Sequence, residues 1–242
     1  MFETRLPISP AAVLHKPALI TRSNKRLGRT PGNLDLLVIA SIHKSHARDF
    51  TGNHAHNERL EFMGDAVIEH VVCQWLWSNL SDDEANLSMY KVFLIRTETL
   101  ADVCKECERS SHILLSHGEE INKGREKDSI LADCFEALMG YCMIDYGWEW
   151  TAQWLTTILI DPRRHLLHPH HLKNPKSLLQ ERCQAHYKIL PIYDTQETSN
   201  DGTHIVFHST VRLNNDILGI GSGPNKKKAE ENAARDARKR LS

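Results

Sequence analysis

The stretch NERLEFMGDAVIEH, residues 57–70, decides how the first part of the chain folds. Apolar side chains recur at the three-to-four-residue spacing of a helix, at Leu60, Met63 and Val67, and at Val71 just after the stretch. Glu58, Glu61 and Asp65 lie at i, i+3 and i+7, so a helix projects all three carboxylates from one face. The stretch therefore predicts a helix with an apolar side and an acidic side.

A second segment repeats this combination of acids and apolar residues. DSILADCFEALMGYCMIDYG, residues 128–147, is a mostly apolar helix that places Asp133 and Glu136 at i, i+3, with Gly140 one turn beyond. Carboxylates on apolar helices need a partner, because burying unpaired acids is costly. A divalent cation with oxygen ligands is one such partner. The other possible partner is a basic side chain at the surface, Arg59 or Lys127. The spacing of the acids does not decide between a cation and these ion pairs.

The composition indicates a globular protein with a real core. The chain has 242 residues, 40% of them apolar, which excludes wholesale disorder. The best apolar run, Val67 to Leu76, is broken by polar residues and is too short for a membrane span, so we expect a soluble protein without a membrane partner. Six scattered cysteines favour reduced thiols in the cytoplasm (the host cytoplasm if the protein is viral), and an organelle is not excluded.

The charge distribution and the secondary-structure pattern divide the chain. Residues 1–33 carry six basic residues against one acid, residues 34–173 carry 13 against 22, and residues 174–242 carry 11 against 8, so the basic ends suit a polyanion. We predict a disordered basic arm over 1–33, an all-α domain over 34–161, a Pro/His linker over 162–173 and a small α+β domain over 174–242. The predicted helices are 34–46, 57–80, 86–110, 129–146, 149–159, 175–187 and 226–241, with a loop at 116–128 and strands at 192–197, 204–213 and 216–222.

Histidines cluster in the predicted linker, at His165, His168, His170 and His171. Their Pro-rich surroundings favour a solvated linker over a metal site. Cys104-x-x-Cys107 is not followed by a second pair at zinc-finger spacing, which argues against structural zinc.

Four segments between residues 39 and 140 resemble segments of the ribonuclease III family. HNERLEFMGDAV (56–67) is similar to its signature, SILADCFEALMG (129–140) to its second acidic motif, and IASIHKSH (39–46) and LIRTETLAD (94–102) to segments around them. The resemblance covers residues 34 to about 160 and implies an all-α endonuclease domain. The basic arm, residues 1–33, has no counterpart in this resemblance.

The resemblance also implies residue roles. It assigns metal binding to Glu61, Asp65, Asp133 and Glu136, with Asp65 and Glu136 the most directly catalytic. Glu58 is implied as a supporting residue near the site or the RNA, and Phe62 as the dimer contact that inserts into the partner. The metal implied is Mg²⁺, with Mn²⁺ as a substitute.

The last part of the chain resembles a double-stranded RNA-binding domain of order α-β-β-β-α. NPKSLLQE (174–181) is similar to its first helix and GIGSGPNKKKAEENAA (219–234) to its final loop and helix start. Independently, three cations at a helix N-terminus favour phosphate; Lys226, Lys227 and Lys228 are called the lysine triplet below. The resemblance implies further RNA contacts through Ser177, Gln180, Glu181, Gln184 and His204.

Together these features predict a Mg²⁺-dependent endoribonuclease that cleaves double-stranded RNA as a homodimer. The implied products carry 5′ phosphates and 3′ hydroxyls with short 3′ overhangs, in RNA processing or small-RNA metabolism. The alternative is a double-stranded RNA binder that does not cut, such as a silencing suppressor or a ribosome-associated pseudoenzyme. Both predictions share the same two-domain fold.

Overall fold

The structure, a computed structural model, describes residues 7–14, 16–17, 19, 21, 27–49, 54–200 and 205–241. The chain forms two compact units, Met1–Leu167 and His168–Ser242. Across the described ranges, none of the helices has the length and apolar character needed to cross a membrane.

The regular secondary structure in the described part of the first unit is helical, apart from one isolated β-bridge. Its helices are α1 (Pro10–Val13), α2 (Leu34–Ile39), α3 (Lys44–Arg48), α4 (Glu58–Asn79), α5 (Glu84–Ile95), α6 (Thr97–Glu106), α7 (His117–Ile121), α8 (Asp128–Tyr146) and α9 (Trp148–Leu155). Short 3₁₀ helices occupy Ser110–His112, Gly124–Glu126 and Asp161–Leu166, and a π-helical turn continues α9 over Thr156–Ile160. The two long helices, α4 and α8, match the prediction from the acidic segments closely.

Three predicted elements of this unit are wrong in detail. Residues 34–46 form two helices instead of one, because Ile42 makes an isolated parallel bridge with Leu114 and interrupts the helical hydrogen bonds. Residues 86–110 are divided at Arg96, whose backbone is extended. The predicted loop at 116–128 contains α7, which begins because the Ser116 hydroxyl accepts a hydrogen bond from the Glu119 N–H.

Residues 7–13 of the basic arm pack within the first unit. The Ser9 hydroxyl is hydrogen-bonded to His46 Nε2 at 3.3 Å, and the Ala55 N–H donates to the Pro7 carbonyl at 3.0 Å. Ser9 and Ala12 are both buried. For residues 7–13 the prediction of a disordered arm is therefore wrong, because a serine cap and small residues allow close packing there.

The second unit has the predicted α-β-β-β-α order. A short helix α10 (Pro169–Leu172) precedes α11 (Pro175–Tyr187), followed by β1 (Ile192–Asn200), β2 (Ile205–Leu213), β3 (Asp216–Gly223) and α12 (Lys226–Leu241). The strands form an antiparallel sheet in the order β1-β2-β3. Small residues let α12 lie close to the sheet, since a Cβ added at Gly219 would meet the Ala237 backbone at 2.4 Å. The fold class predicted from the sequence is thus confirmed.

Candidate active site and nucleic-acid interface

Helices α4 and α8 cross at two glycines. A Cβ added at Gly64 would lie 1.7 Å from the Glu136 carbonyl oxygen, and one added at Gly140 would lie 2.1 Å from the Leu60 carbonyl oxygen. Both obstacles are backbone atoms, so only glycine allows this approach. The crossing brings the acidic face of α4 against the acidic positions of α8.

Three of the four predicted metal ligands meet at this crossing. Glu61, Asp133 and Glu136 each offer a carboxylate oxygen, and these oxygens lie within 4.8 Å of one another; these three residues are called the acidic cluster below. Each of the three residues is half-buried. Asp65 lies one turn along α4, is exposed, and stands outside this group of three.

The acidic cluster is electrostatically unfavourable without a cation. Burial raises the pKa of the Glu136 carboxyl to about 8, and three acidic neighbours add to the effect: Asp65, Asp133 and Glu61. Burial also raises the pKa of Glu61 and of Asp133. In both cases the charge of Glu58 adds to the rise and the Lys44 ammonium opposes it. A set of half-buried oxygen donors that repel one another fits a hard divalent cation such as Mg²⁺.

Glu58, also on the acidic face of α4, forms an ion pair with Lys44. Its Oε1 accepts a hydrogen bond from Lys44 Nζ at 2.9 Å, and its Oε2 lies 3.7 Å from His56 Nδ1. The Lys44 hydrogen bond lowers the pKa of Glu58. Lys127, considered above as a partner for the acids, instead pairs with Glu119.

Phe62 lies between Glu61 and Met63 on α4 and is 81% exposed. A side chain of this size exposed so fully is compatible with the predicted dimer contact, which nothing else in the structure tests.

The lysine triplet forms the first three residues of α12, and all three residues are exposed. Asn225 precedes it, and its side-chain oxygen accepts a hydrogen bond from the Lys228 N–H at 2.9 Å. Lys228 Nζ lies 3.7 Å from Glu231. In the described part of the second unit no carboxylate pairs with Lys226 or Lys227, so the start of α12 is strongly positive.

The predicted RNA contacts of α11 share one exposed face. They lie at i, i+3, i+4 and i+7 and are all exposed: Ser177, Gln180, Glu181 and Gln184. Glu181 accepts hydrogen bonds from Lys173 at 2.9 and 3.1 Å. His204 lies outside the described residues, so its predicted role stays a prediction.

Sequence reasoning missed two contributors to the site. Lys44 gave no signal, because its partner Glu58 lies 14 residues away and α3 was expected to continue α2. Gly64 was available as a signal, since an isolated glycine within an apolar helix often marks a close packing contact.

Comparisons with known proteins agree with both units. The family described as Ribonuclease-III-like matches residues 33–162, and the double-stranded RNA binding motif matches residues 175–241. A protein named Ribonuclease 3 from Treponema denticola is 33% identical over 90% of this chain and 89% of its own length. A protein of the same name from Streptococcus agalactiae is 34% identical over 90% of this chain and 96% of its own length.

A solved structure is similar to the first unit. It is the nuclease domain of ribonuclease III from Campylobacter jejuni, whose title refers to a flexible region involved in dimer formation. The two share 33% sequence identity with a TM-score of 0.54, over 58% of this chain and 95% of that one.

Proposed function

The chain belongs to the ribonuclease III family and is an endoribonuclease of double-stranded RNA, and from this premise we propose that its hydrolysis depends on Mg²⁺ held between α4 and α8. The observation that supports this most strongly is the acidic cluster, whose three carboxylates converge within 4.8 Å. Asp65 would complete the set as a fourth ligand, because it lies one turn beyond Glu61 on the same helix and is exposed. Mn²⁺, which takes the same oxygen ligands, substitutes for Mg²⁺.

The proposed chemistry divides between the metal and the side chains. Bound Mg²⁺ supplies a Lewis acid that makes water a stronger nucleophile and stabilises charge on the leaving 3′ oxygen. Asp65 and Glu136 orient the metal and the attacking water, and Glu61 and Asp133 complete the ligand set. Glu136 must lose its proton to act as a ligand, since its pKa is about 8 before a cation arrives.

We propose products with 5′ phosphates and 3′ hydroxyls and with short 3′ overhangs. A single acidic cluster serves one strand, so cutting both strands of a duplex needs two copies of the chain. The exposed Phe62 supports a homodimer in which this side chain enters the partner. Related by a two-fold axis, the two clusters cut opposite strands at offset positions. We place this reaction in the cytoplasm.

The second unit is proposed to bind the RNA duplex by its shape. The lysine triplet contacts phosphates at the N-terminus of α12, where backbone N–H groups add to the positive potential. The exposed polar face of α11 reaches a minor groove and its 2′-hydroxyls. Such contacts carry little base specificity. The first unit is therefore proposed to cut wherever the second unit holds a duplex.

Incubation of the purified chain with a long duplex RNA tests this function. With Mg²⁺ we expect short duplexes whose 3′ ends accept a ligated adaptor without phosphatase treatment, whereas excess chelator should leave the RNA bound and uncut. Products that form equally with and without chelator would contradict the metal assignment. Ends that need a phosphatase before ligation would contradict the proposed position of bond cleavage.

A further inference from the structure

Lys44 is an ammonium group at the edge of the acidic cluster. It is the first residue of α3, which His43 caps by accepting a hydrogen bond from the Ser45 N–H. Its Nζ donates to Glu58 Oε1 at 2.9 Å. The hydrogen bond and charge of Glu58 raise the pKa of Lys44, and the charges of Asp133 and Glu61 raise it further, so the ammonium lies within the field of the cluster.

Glu58 lies on the same helix as Glu61, beside the acidic cluster but outside its three converging oxygens. It lies one turn before Glu61 on the same face of α4, and its charge raises the pKa of both Glu61 and Asp133. Its side chain is about half exposed, at 45%, so packing does not fix its rotamer. The contacts that restrain this carboxylate are the ion pair with Lys44 and the longer contact with His56.

An additional carboxylate ligand would be harmful to hydrolysis. Mg²⁺ requires near-octahedral coordination and retains several waters. A hydrolytic site needs positions left for water and for the phosphate oxygen of the substrate. A fifth carboxylate would bind the metal more tightly and fill one of these positions.

We propose that Lys44 is a positioning residue of the metal centre, which holds Glu58 in an ion pair and so keeps it out of the ligand set. This inference rests on the proposed metal site. Lys44 would thus limit the number of carboxylates that coordinate the metal. Contact between Lys44 and the RNA is not required.

The test compares Lys44→Met with a closely matched control. Lys105 pairs with Asp128 at the same 2.9 Å, and the two side chains are 45% and 44% exposed, against 45% and 45% for Lys44 and Glu58. Lys105→Met therefore removes a comparable surface ion pair, in which Asp102 is a second partner of the lysine at 3.5 Å. Lys44→Arg retains the ion pair, and the double variant Lys44→Met/Glu58→Gln removes the freed carboxylate.

Mn²⁺ binding, measured without RNA by the loss of the free-ion electron paramagnetic resonance signal, is the first readout. We expect Lys44→Met to bind Mn²⁺ about tenfold more tightly than the parent, because an added carboxylate raises the charge count of the ligands. The parent affinity should be kept by Lys44→Arg, by Lys105→Met and by the double variant. Because the Debye length falls from ~10 Å at 0.1 M salt to ~3 Å at 1 M, a direct ligand keeps its advantage at 1 M KCl and a remote charge loses it.

Cleavage kinetics at saturating metal give the second readout. Lys44→Met should lower kcat about 10–100-fold while the KM for RNA stays unchanged. An unchanged Mn²⁺ affinity, a gain that disappears at 1 M KCl, or a gain that persists in the double variant would each overturn the proposal. A rise in KM with kcat unchanged would also overturn it, because it would mean that Lys44 contacts the RNA. If no variant, the parent included, bound Mn²⁺, the metal site itself would be refuted instead.

Discussion

Replacing Gly140 by alanine should separate helices α4 and α8 and damage both stability and cleavage. The new Cβ would lie 2.1 Å from the Leu60 carbonyl oxygen and 3.2 Å from the Gly64 nitrogen. Relief of this overlap requires a movement of about 1.4 Å, because non-bonded contacts are favourable only near 3.5 Å. The obstructing atoms belong to the backbone, so a change of rotamer cannot relieve the overlap.

The expected loss of stability follows from two opposing effects. Overpacking of a core contact costs about 1–3 kcal/mol, and the higher helix propensity of alanine returns up to ~1 kcal/mol. Taking the upper end for a backbone clash, we expect a net loss of about 2 kcal/mol. With a urea m-value of about 2 kcal/mol/M, the unfolding midpoint should fall by about 1 M.

The chain offers a domain-specific assay for this change. All five tryptophans, Trp75, Trp77, Trp148, Trp150 and Trp154, belong to the first unit, so their fluorescence follows the unfolding of that unit. Gly118→Ala is the matched control, since an added Cβ there meets no atom within 4 Å. We expect the control to be neutral or slightly more stable than the parent.

Cleavage should respond more strongly than stability. A displacement of about 1 Å between catalytic groups costs on the order of 100-fold in rate, and the acidic cluster spans the crossing that Gly140 permits. A Gly140→Ala chain with the parent's urea midpoint and cleavage rate would refute the close crossing. A loss of stability with full activity would show that the geometry of the acidic cluster does not depend on the close crossing.

Four further outcomes are expected. Changing the lysine triplet to alanine should reduce the slope of log affinity against log salt by about 2–3 units, since each phosphate contact contributes about 0.9 on the B-DNA scale; an unchanged slope would mean that these lysines face solvent. Light scattering at micromolar concentration should give a dimer mass for the parent and for Ile121→Ser, an exposed control on α7, but a monomer mass for Phe62→Ser; a strictly monomeric parent would contradict cleavage of both strands by two copies. Mg²⁺ affinity should rise with pH up to about 8 with release of protons, because the raised pKa of Glu136 keeps it protonated below that pH. The same raised pKa of Glu136 should make the metal-free parent lose stability relative to Glu136→Gln as the pH rises from about 4.5 to 8, because this carboxyl is ionised in the unfolded chain and protonated in the folded one. A flat difference between the two proteins would contradict the burial of Glu136.

The sequence was sufficient for the two acidic helices and for the second unit. Glu61, Asp133 and Glu136 lie in helices whose apolar residues recur regularly, so local periodicity predicts the helices that carry them. In the second unit, prolines and turn residues separate short elements, and the helix bounds of α11 and α12 follow from the pattern within one residue.

Features that depend on contacts distant in sequence were not predictable. The break between α2 and α3 exists because Ile42 pairs with Leu114, 72 residues away, while its own apolar pattern continues that of a helix. The packing of Ser9 on His46 likewise depends on a partner far along the chain. The ion pair of Lys44 with Glu58 requires that break, since it begins α3 and turns Lys44 towards α4.

The role of Glu136 in the acidic cluster can be tested by one paired measurement on Glu136→Gln and the parent. Both proteins are mixed with the same long duplex RNA at saturating Mg²⁺, and RNA binding and single-turnover cleavage are followed in parallel samples. Glutamine keeps the size of the side chain but removes an anionic ligand, so we expect equal binding and a cleavage rate lower by several orders of magnitude. Equal binding with an unchanged cleavage rate would contradict hydrolysis at this cluster.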